Sequence, residues 1–398
     1  MSVMNGMTVW QPKTGEQVTD IVISALAERR KLSVSGHETK AGLGHPVDAK
    51  ESLSLKNLSG IVDYQPEELV LVVKAGTPLD EIEKTLSEKN QMLAFEPPHL
   101  ERFYGTESTG TIGGLVATNL SGPRRVSAGA ARDFLLGFAA VSGRGDVFKS
   151  GSRVMKNVTG YDLSKLMCGS FGTLAVMTEI TLKVLPCPET SSSLSLLCDT
   201  IDSAQLALAN AFCSDTEPSG GAISRTSEGW KAVIRLEGVD VSVRDRMTKL
   251  KSTLQSAGTS QVLDKQASEA FWGDWRDISM ISDDAEQVYR LSVTPSDAPK
   301  IASSLLKAYD LELGFDWMGG LIWIGGKGAG LGQKVRQTIK DFNGHATLMR
   351  GTEGHRRDVG VFQPQAAPLA ALARRIKNAF DPEDILNSGK MGTIGRGA

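Results

Sequence analysis

The glycine-rich stretch between Gly105 and Pro186 constrains the fold of this chain more than any other feature. Thirteen of the chain's 42 glycines fall between residues 105 and 172, which is about a sixth of its length. Glycine weakens a packed helix or strand by roughly 0.5–1 kcal/mol, so this density needs a physical reason. One reason is a backbone that turns tightly and meets an anionic ligand with its N–H groups. The alternative is a loop-rich β region with glycines at bulges and turns. The spacing of the glycines favours the interpretation in which the backbone binds an anionic ligand.

The length and composition are those of a soluble globular protein of two or three domains. Of the 398 residues, 40% are hydrophobic and 23% are charged, which is an ordinary balance. The formal net charge of −2 does not favour a nucleic-acid or anionic-membrane surface. No apolar run approaches the roughly 20 residues of a membrane span, and the N-terminus lacks the basic-then-apolar order of a secretory signal. We therefore expect a cytoplasmic protein.

The cysteines and histidines do not indicate a metal site. The four cysteines are irregularly spaced and form no C-x-x-C pair, so neither a disulfide framework nor an iron–sulfur or zinc site can be assigned. The five histidines include no H-E-x-x-H motif. We therefore expect no metal in this chain.

The N-terminal part of the sequence predicts alternating helices and strands. Residues Val18 to Leu26 are apolar at helical spacing, and a short strand from Leu32 to Val34 runs into the polar loop Ser35 to Pro46. A strand that ends in such a turn leaves several N–H groups free. Residues 69–86 predict a strand buried on both faces and then a helix capped by Thr77.

Two more strands precede a predicted domain boundary. Residues 135–141 predict a buried strand, and residues 172–186 predict a strand whose end alternates with period two. Pro186 and Pro188 break that strand and a serine-rich run follows, which indicates a boundary between domains.

Five sequence blocks occur in a fixed order along the chain. They are S-G-x-x-T-K from Ser35, T-I-G-G-L-V-A-T-N-x-S-G-P-R-R from Thr111, R-D-F-x-L-G from Arg132, V-M-K-N-V-T-G-Y-D-L-S-K-L from Val154, and G-S-F-G-T-L-A-V-x-T-E-I-T-L-K-V-L-P from Gly169. Together with F-D-P-E-D-I-L-N-S-G-K-M near the C-terminus, this order resembles the FAD-binding proteins of the vanillyl-alcohol-oxidase type. Within that superfamily the chain is similar to the smaller, E-type FAD-binding subunits of bacterial-type glycolate oxidases.

The resemblance implies an α+β fold with three parts. A PCMH-type FAD-binding domain of two α/β subdomains would occupy residues 1–188, and an α+β cap domain residues 189–345. Residues 346–398 would form a C-terminal segment that returns to the FAD domain. The helix and strand patterns of the middle part predict an antiparallel sheet with helices on one face, and its tryptophans are typical of core and interface residues.

The resemblance also implies where FAD binds, with its dianionic pyrophosphate held mainly by backbone N–H groups. The pyrophosphate would lie between Ser35, Gly36, His37, Glu38 and Thr39 on one side and Gly110, Thr111, Gly113 and Gly114 on the other. The adenine would lie against Gly172, Thr173 and Val176. The isoalloxazine would lie over Ala117, Thr118 and Asn119, with Lys156, Asn157 and Tyr161 nearby. Two of these residues have simpler interpretations. Asn119 could satisfy the hydrogen bonds of a turn, and Lys156 could lie at the solvated end of a strand.

The sequence departs from the family pattern in the first loop. Relatives with covalent flavin carry a histidine where this chain has Thr39, so we expect FAD to be bound non-covalently. Glu38 replaces a family glycine, which would place a carboxylate beside the pyrophosphate unless the side chain points to solvent. Ser388 replaces a family proline, a minor change in turn rigidity.

A second glycine-rich segment, residues 321–342, has a pattern similar to that of a nucleotide-binding unit. It combines an apolar run, glycines and a helical pattern, yet both the G-x-G-x-x-G and the G-x-x-x-x-G-K-[ST] patterns fail. We interpret it as a glycine-rich hairpin loop or turn.

Three functions are consistent with the sequence. The first is an FAD-binding subunit of a glycolate oxidase complex, with a larger FAD subunit and an iron–sulfur subunit as partners and any inner-membrane contact made through them. The second is a stand-alone flavin dehydrogenase of another alcohol or 2-hydroxy acid, and the third is a non-catalytic scaffold. Oxidation of glycolate needs a base and a carboxylate-binding cation. The candidate bases are His99 and His345, and the candidate cations are Arg124, Arg125 and Arg350.

Overall fold

The structure is a computed structural model that describes residues 2–4, 7–151 and 161–392. Its strands are β1 Ser2–Met4, β2 Met7–Trp10, β3 Leu32–Ser35, β4 Glu51–Ser54, β5 Ile61–Gln65, β6 Val70–Lys74, β7 Gln91–Met92, β8 Leu135–Ser142, β9 Val147–Gly151, β10 Ala175–Lys183, β11 Leu185–Pro186, β12 Thr190–Cys198, β13 Gly220–Arg225, β14 Trp230–Gly238, β15 Thr259–Leu263, β16 Gln287–Ser292, β17 Leu311–Asp316, β18 Leu321–Gly326 and β19 His345–Arg350. Its helices are α1 Gly15–Ala27, α2 Leu79–Ser87, α3 Glu101–Tyr104, α4 Ile112–Thr118, α5 Arg125–Ala128, α6 Ala131–Phe134, α7 Leu163–Met167, α8 Ile201–Phe212, α9 Asp240–Thr253, α10 Lys265–Arg276, α11 Ala298–Leu306, α12 Leu331–Asp341, α13 Glu353–Asp358 and α14 Ala367–Phe380.

The first sheet is built from both ends of the described chain. Its strands lie in the order β1-β2-β4-β3, with β2, β4 and β3 parallel. At the outer side of β3, the Leu32 N–H donates to the Ile385 carbonyl at 2.8 Å, and the Asn387 N–H donates to the Leu32 carbonyl at 3.0 Å. The residues around Leu386 therefore extend this sheet beyond β3.

The second sheet is antiparallel and has the order β5-β6-β10-β8-β9. Its central strand β10 pairs Ile180 with Val73 on one side and with Phe138 on the other. All three of these side chains are buried. Helix α1 packs its buried face, which includes Val18 and Val22, near β8 and β10. One apolar core thus joins the first two sheets.

The third sheet is antiparallel, with the strand order β15-β12-β14-β13-β17-β18-β16-β19 among the described residues. Helices α8, α9, α11 and α12 cover one face and enclose a second apolar core. Helix α10 packs Trp272 and Trp275 against the opposite face, beside Val233. The expectation of helices on one face only is therefore wrong for α10.

A buried network of four charged residues joins the third sheet to the first part of the chain. Arg235 on β14 contacts Glu96 at 2.8 Å and Glu237 at 3.4 Å, while Arg124 contacts the same two carboxylates at 3.2 and 2.7 Å. Burial alone would raise the pKa of Glu237, but Arg235 and Arg124 lower it to about 2. The four charges therefore neutralise one another inside the interface.

Most predicted elements are confirmed. The predicted helix near Val18 is α1, and the predicted strands are β3, β6, β8 and β10. The cap of α2 was predicted wrongly: Pro78 is the capping residue, and the Thr77 hydroxyl instead donates to the Lys74 carbonyl at 2.7 Å. The segment from residue 321 contains a turn with Gly328 and Gly330 at positive φ, and it joins β18 to helix α12.

The division into parts remains a prediction. Strand β19 of the third sheet crosses the expected boundary between residues 345 and 346.

Among the described residues, no helix has both the length and the apolar character of a membrane span.

Candidate functional site

A cleft of about 420 Å³ of empty space lies where the first two sheets meet helix α4. Its walls come from the end of β3, the segments after β4 and β6, helix α4, the start of β10 and the C-terminal segment. The lining residues are Val34, Ser35, Gly36, Leu55, Ala75, Thr111, Gly113, Gly114, Ala117, Phe171, Gly172, Ala175, Val176, Met177 and Asn387. The cleft therefore brings together the two predicted glycine loops and the predicted adenine segment.

The loop after β3 presents unused backbone donors. The N–H groups of His37, Glu38 and Thr39 make no hydrogen bond with any other described residue. Glu38 is in the left-handed region, with φ of 60°, and its side chain is exposed. A Cβ on Gly36 would lie 2.3 Å from the Thr111 hydroxyl oxygen, so only glycine allows this loop to approach α4.

Helix α4 begins at the cleft, and its two glycines serve different purposes. Thr111 caps the helix by accepting from the Gly114 N–H at 3.2 Å. A Cβ on Gly113 would lie 2.7 Å from the Ala75 carbonyl oxygen, whereas a Cβ on Gly114 would meet only the Thr111 hydroxyl at 3.4 Å. Gly113 therefore permits packing of the helix against the strand end, while Gly114 leaves the cleft open.

The turn before β10 forms the opposite wall. The Phe171 N–H donates to the Ala117 carbonyl at 2.8 Å, which attaches the turn to α4. Phe171 and Gly172 both have positive φ, at 55° and 67°. The turn exposes bare backbone at Gly172, next to Val176.

Asn387 connects the two sides of the cleft. Its side-chain oxygen accepts from the Val34 N–H at 2.8 Å, and its amide group donates to the carbonyls of Val34 and Phe171 at 3.3 and 2.8 Å. Asn387 belongs to the C-terminal motif F-D-P-E-D-I-L-N-S-G-K-M, which by itself predicts no role for it. Its place in that motif is the one sequence signal that could have marked Asn387 as part of the site.

The ammonium group of a half-buried lysine lies beside the loop. Lys40 has its Nζ 3.4 Å from the Thr39 hydroxyl, and no carboxylate among the described residues pairs with it within 4 Å. Burial lowers the pKa of Lys40 to about 8, and Glu101 only partly opposes this effect. An anion bound at this loop would therefore favour its charged form.

Eight of the predicted FAD residues line the cleft, and eight other described ones do not. Those that do not are His37, Glu38, Thr39, Gly110, Thr118, Asn119, Tyr161 and Thr173. Thr118 donates to the Gly114 carbonyl in its own helix, and Asn119 accepts from the Arg132 N–H at a turn. Thr173 donates to the Ser170 carbonyl at 2.7 Å. These side chains have local structural partners, and their contact with a cofactor remains a prediction.

Only some of the predicted isoalloxazine neighbours belong to the described residues, and they differ in position. Ala117 lines the cleft, whereas Tyr161 is exposed. Lys156 and Asn157 lie outside the described residues.

Neither candidate base lines the cleft. His99 forms an ion pair with Glu83 at 2.9 Å, and although burial lowers its pKa, Glu83 raises it above the ordinary value. His345 lies at the start of β19, where burial together with Arg290 and Arg336 lowers its pKa.

The candidate carboxylate-binding arginines differ in what surrounds them. The Arg350 guanidinium donates to the carbonyls of Phe103, Ser282 and Ala285, and Arg124 belongs to the buried network with Glu96. Arg125 instead stacks on Trp317 at 4.0 Å. The first two arginines are thus already engaged by the protein.

The cleft has the properties of a dinucleotide site. The loop beside the cleft carries free N–H groups and the Lys40 ammonium, which suit a pyrophosphate. In the lining itself, Val176 and the bare backbone at Gly172 suit a flat ring. The residues present therefore fit FAD, which when bound supplies a two-electron acceptor.

Comparison with known proteins identifies the family. Residues 8–151 match the family model described as the FAD binding domain, and residues 364–391 match the C-terminal domain of FAD linked oxidases. The glycolate oxidase subunit GlcE of Escherichia coli is 35% identical over 93% of this chain and 95% of its own length. The D-lactate dehydrogenase of Anaerostipes hadrus is 33% identical, over 45% of this chain and 36% of its length.

The fold agrees with this assignment. The crystal structure of p-cresol methylhydroxylase with substrate bound matches with a TM-score of 0.71, covering 98% of this chain and 90% of that one at 14% identity. The predicted α+β fold with a PCMH-type FAD-binding domain is thus confirmed. The chain is an FAD-dependent oxidoreductase and belongs to the family of FAD-linked oxidases that includes the GlcE subunit of glycolate oxidase.

Proposed function

We propose that this chain is the FAD-binding subunit of a complex that oxidises glycolate, or a similar small 2-hydroxy acid, to the 2-oxo acid. The observation that carries the proposal is the 35% identity to GlcE over nearly the full length of both chains. The cleft, together with the free N–H donors and the Lys40 ammonium of the loop beside it, supports the cofactor part of the proposal. The proposal includes a cytoplasmic location, with any inner-membrane contact made through partners.

The proposed partners are a larger FAD-binding subunit and an iron–sulfur subunit. Electrons that leave the flavin need a further carrier, and the four cysteines of this chain are free thiols without cluster spacing. Burial raises the pKa of Cys168 to about 12, so this thiol remains protonated at neutral pH. A partner that carries the cluster would complete the electron path.

A second candidate is a stand-alone dehydrogenase of a 2-hydroxy acid. The similarity to D-lactate dehydrogenase favours it, although this covers only 45% of the chain. The two candidates differ in whether a partner is required for turnover.

Reconstitution separates these candidates. We expect the purified, FAD-loaded chain to give no robust glyoxylate production from glycolate with an artificial acceptor. Addition of the larger FAD subunit and the iron–sulfur subunit should start turnover, measured as glyoxylate formed. Robust glyoxylate production by the chain alone would reject the complex and support the stand-alone enzyme. An assembled complex that remains inactive while the chain still holds FAD would support a scaffold role.

Replacement of Glu38 by glycine should tighten FAD binding a few-fold. The substitution removes a left-handed non-glycine residue, which costs roughly 1–2 kcal/mol, and a negative charge near the proposed pyrophosphate position. Because glycine has more freedom in the unfolded chain, we expect a net stability gain of only about 0.5–1 kcal/mol. The measurements are fluorescence titration of the apoprotein with FAD and urea unfolding.

Glu38→Gln is the matched control, because it removes the charge and keeps the strained backbone. Glu38→Gln should show the salt-dependent part of the gain in FAD affinity. Its free energy of unfolding should equal that of wild type. Equal FAD affinity in wild type and both variants would show that the loop does not approach the pyrophosphate.

A further inference from the structure

The loop after β3 and the segment before α4 meet beside the FAD cleft. The Nδ1 atom of His37 lies 2.7 Å from the Ser108 hydroxyl oxygen, and a Cβ on Gly36 would lie 2.3 Å from the Thr111 hydroxyl oxygen. Gly36 and Thr111 both line the cleft. The two segments predicted to flank the FAD pyrophosphate are therefore in direct contact, and their junction is where that prediction places the anion.

The half-buried Lys40 side chain reaches into this junction. Its Nζ lies 2.7 Å from the Cβ position of Gly110, and Gly110 directly precedes Thr111 of the cleft wall. Gly110 also has a φ of 86°. A side chain at this position would be strained and would displace the ammonium. Glycine at position 110 therefore leaves the Lys40 ammonium beside the start of the cleft wall.

The Lys40 ammonium has no charged partner at this place. Its one hydrogen bond among the described residues is the 3.4 Å contact with the Thr39 hydroxyl, which is longer than an ordinary N–H···O bond. The charge of Glu101 on α3 acts on Lys40 from beyond 4 Å. The neighbouring residues thus leave most of the hydrogen-bonding capacity of the ammonium unused.

The backbone around the ammonium adds further hydrogen-bond donors. The N–H groups of His37, Glu38 and Thr39 make no hydrogen bond with another described residue. Clustered donors without acceptors indicate an anion as the missing partner. Backbone N–H groups carry only partial charges, whereas an ammonium compensates one full charge of a dianionic pyrophosphate.

We propose that Lys40 binds the pyrophosphate of FAD together with the N–H groups of its loop, and that its amine takes up a proton from solvent when FAD binds above pH 8. This inference depends on FAD as the cofactor and is independent of the alcohol that the chain oxidises. It adds a charged side chain to a site that the sequence predicted to consist mainly of backbone donors.

The charge state of Lys40 gives FAD binding a defined pH dependence. Burial lowers the pKa of Lys40 to about 8, and Glu101 only partly opposes this effect. A bound pyrophosphate would raise that pKa, so the contribution of Lys40 is complete below pH 8 and is lost as the pH rises through the raised value. If Lys40 contributes about tenfold to the affinity, FAD should bind about fivefold more weakly at pH 9 than at pH 7.

Two other groups near the junction titrate, and they can be separated from Lys40. Burial lowers the pKa of His37, so its ring is neutral from pH 7 to 9. The Lys390 ammonium donates to the Ala41 carbonyl at 3.4 Å, and burial together with Arg356 lowers its pKa to about 8 as well. The remaining charged groups around this loop are Lys56, Asp80 and Arg356.

Calorimetric titration of the FAD-free full chain with FAD tests the charge of Lys40. Lys40→Met should bind FAD at least about tenfold more weakly at pH 7, since hydrogen bonds to charged groups contribute on this scale. Lys40→Arg carries a permanent charge, so its affinity should be within about tenfold of wild type at pH 7 and unchanged at pH 9. Lys56→Met is the control, because Lys56 is exposed in the turn after β4 and its loss should change the affinity by no more than about twofold.

Titration in two buffers of different ionisation enthalpy counts the protons. At pH 8.5 wild type should take up about half a proton per FAD, while Lys40→Met and Lys40→Arg should take up almost none. Circular dichroism and urea unfolding of the FAD-free variants show whether Lys40→Met is folded, and Lys40→Arg provides the proton count if it is not. Equal FAD affinity in wild type and folded Lys40→Met would overturn the proposal. Proton uptake that persists in both Lys40 variants and disappears in Lys390→Met would overturn it as well.

Discussion

Gly114→Val should produce a folded protein that has lost most of its FAD. The Cβ position at Gly114 meets only the Thr111 hydroxyl at 3.4 Å, an ordinary contact, so the backbone can accept a side chain. The two methyl groups would then occupy the cleft that the Gly114 backbone lines. Steric overlap of this kind costs typically about 1–3 kcal/mol, so FAD should bind about 10- to 100-fold more weakly. The measurement is the flavin-to-protein absorbance ratio together with titration of the apoprotein.

Two other glycines provide the comparison for this variant. Gly273 lies in helix α10 with nothing within 4 Å of its Cβ position, so Gly273→Val should keep full FAD content. Gly113→Val should instead reduce the yield of folded protein, because its Cβ would meet the Ala75 carbonyl at 2.7 Å. Full FAD content in Gly114→Val would show that the dinucleotide does not lie against α4.

Lys377→Met should lower the free energy of unfolding by about 3–5 kcal/mol, the usual effect of removing one member of a buried ion pair. Lys377 is 6% exposed, and its Nζ lies 2.6 Å from Asp381, which is fully buried. The same ammonium donates to the carbonyls of Thr173 and Leu386 at 2.7 and 3.2 Å. The substitution leaves the Asp381 charge in the interior with only backbone N–H partners. Urea unfolding of the FAD-free protein measures the loss without a contribution from bound cofactor.

Arg375→Met is the control on the same helix, since Arg375 is exposed and its loss should change the unfolding free energy by less than about 0.5 kcal/mol. A loss below about 1 kcal/mol in Lys377→Met would contradict the assignment of Lys377 as the counter-charge of Asp381.

The elements that could be predicted from sequence are those with strong local patterns. Strand β6 is a continuous apolar run, and α2 carries Leu79, Ile82 and Leu86 at helical spacing with all three buried. Helix α4 was not predicted, because a seven-residue helix with two glycines has low propensity. Without that helix, the sequence could not show that Gly113 and Gly114 face different neighbours.

The residues that complete each site depend on distant contacts. Asn387 bonds to Val34 across 353 positions, and only the assembled sheet shows that its amide reaches both walls of the cleft. Such a contact is a property of the tertiary structure, so local sequence patterns cannot reveal it.

The contacts of Asn387 set the order of events during synthesis. β3 and its loop leave the ribosome long before residue 387 is made, and N-terminal parts of a chain generally fold first. Until the last segment arrives, the outer side of β3 lacks the hydrogen bonds from the residues around Leu386, and the Phe171 carbonyl lacks its amide donor. The cleft wall that Asn387 builds is therefore complete only after residue 387 has left the ribosome.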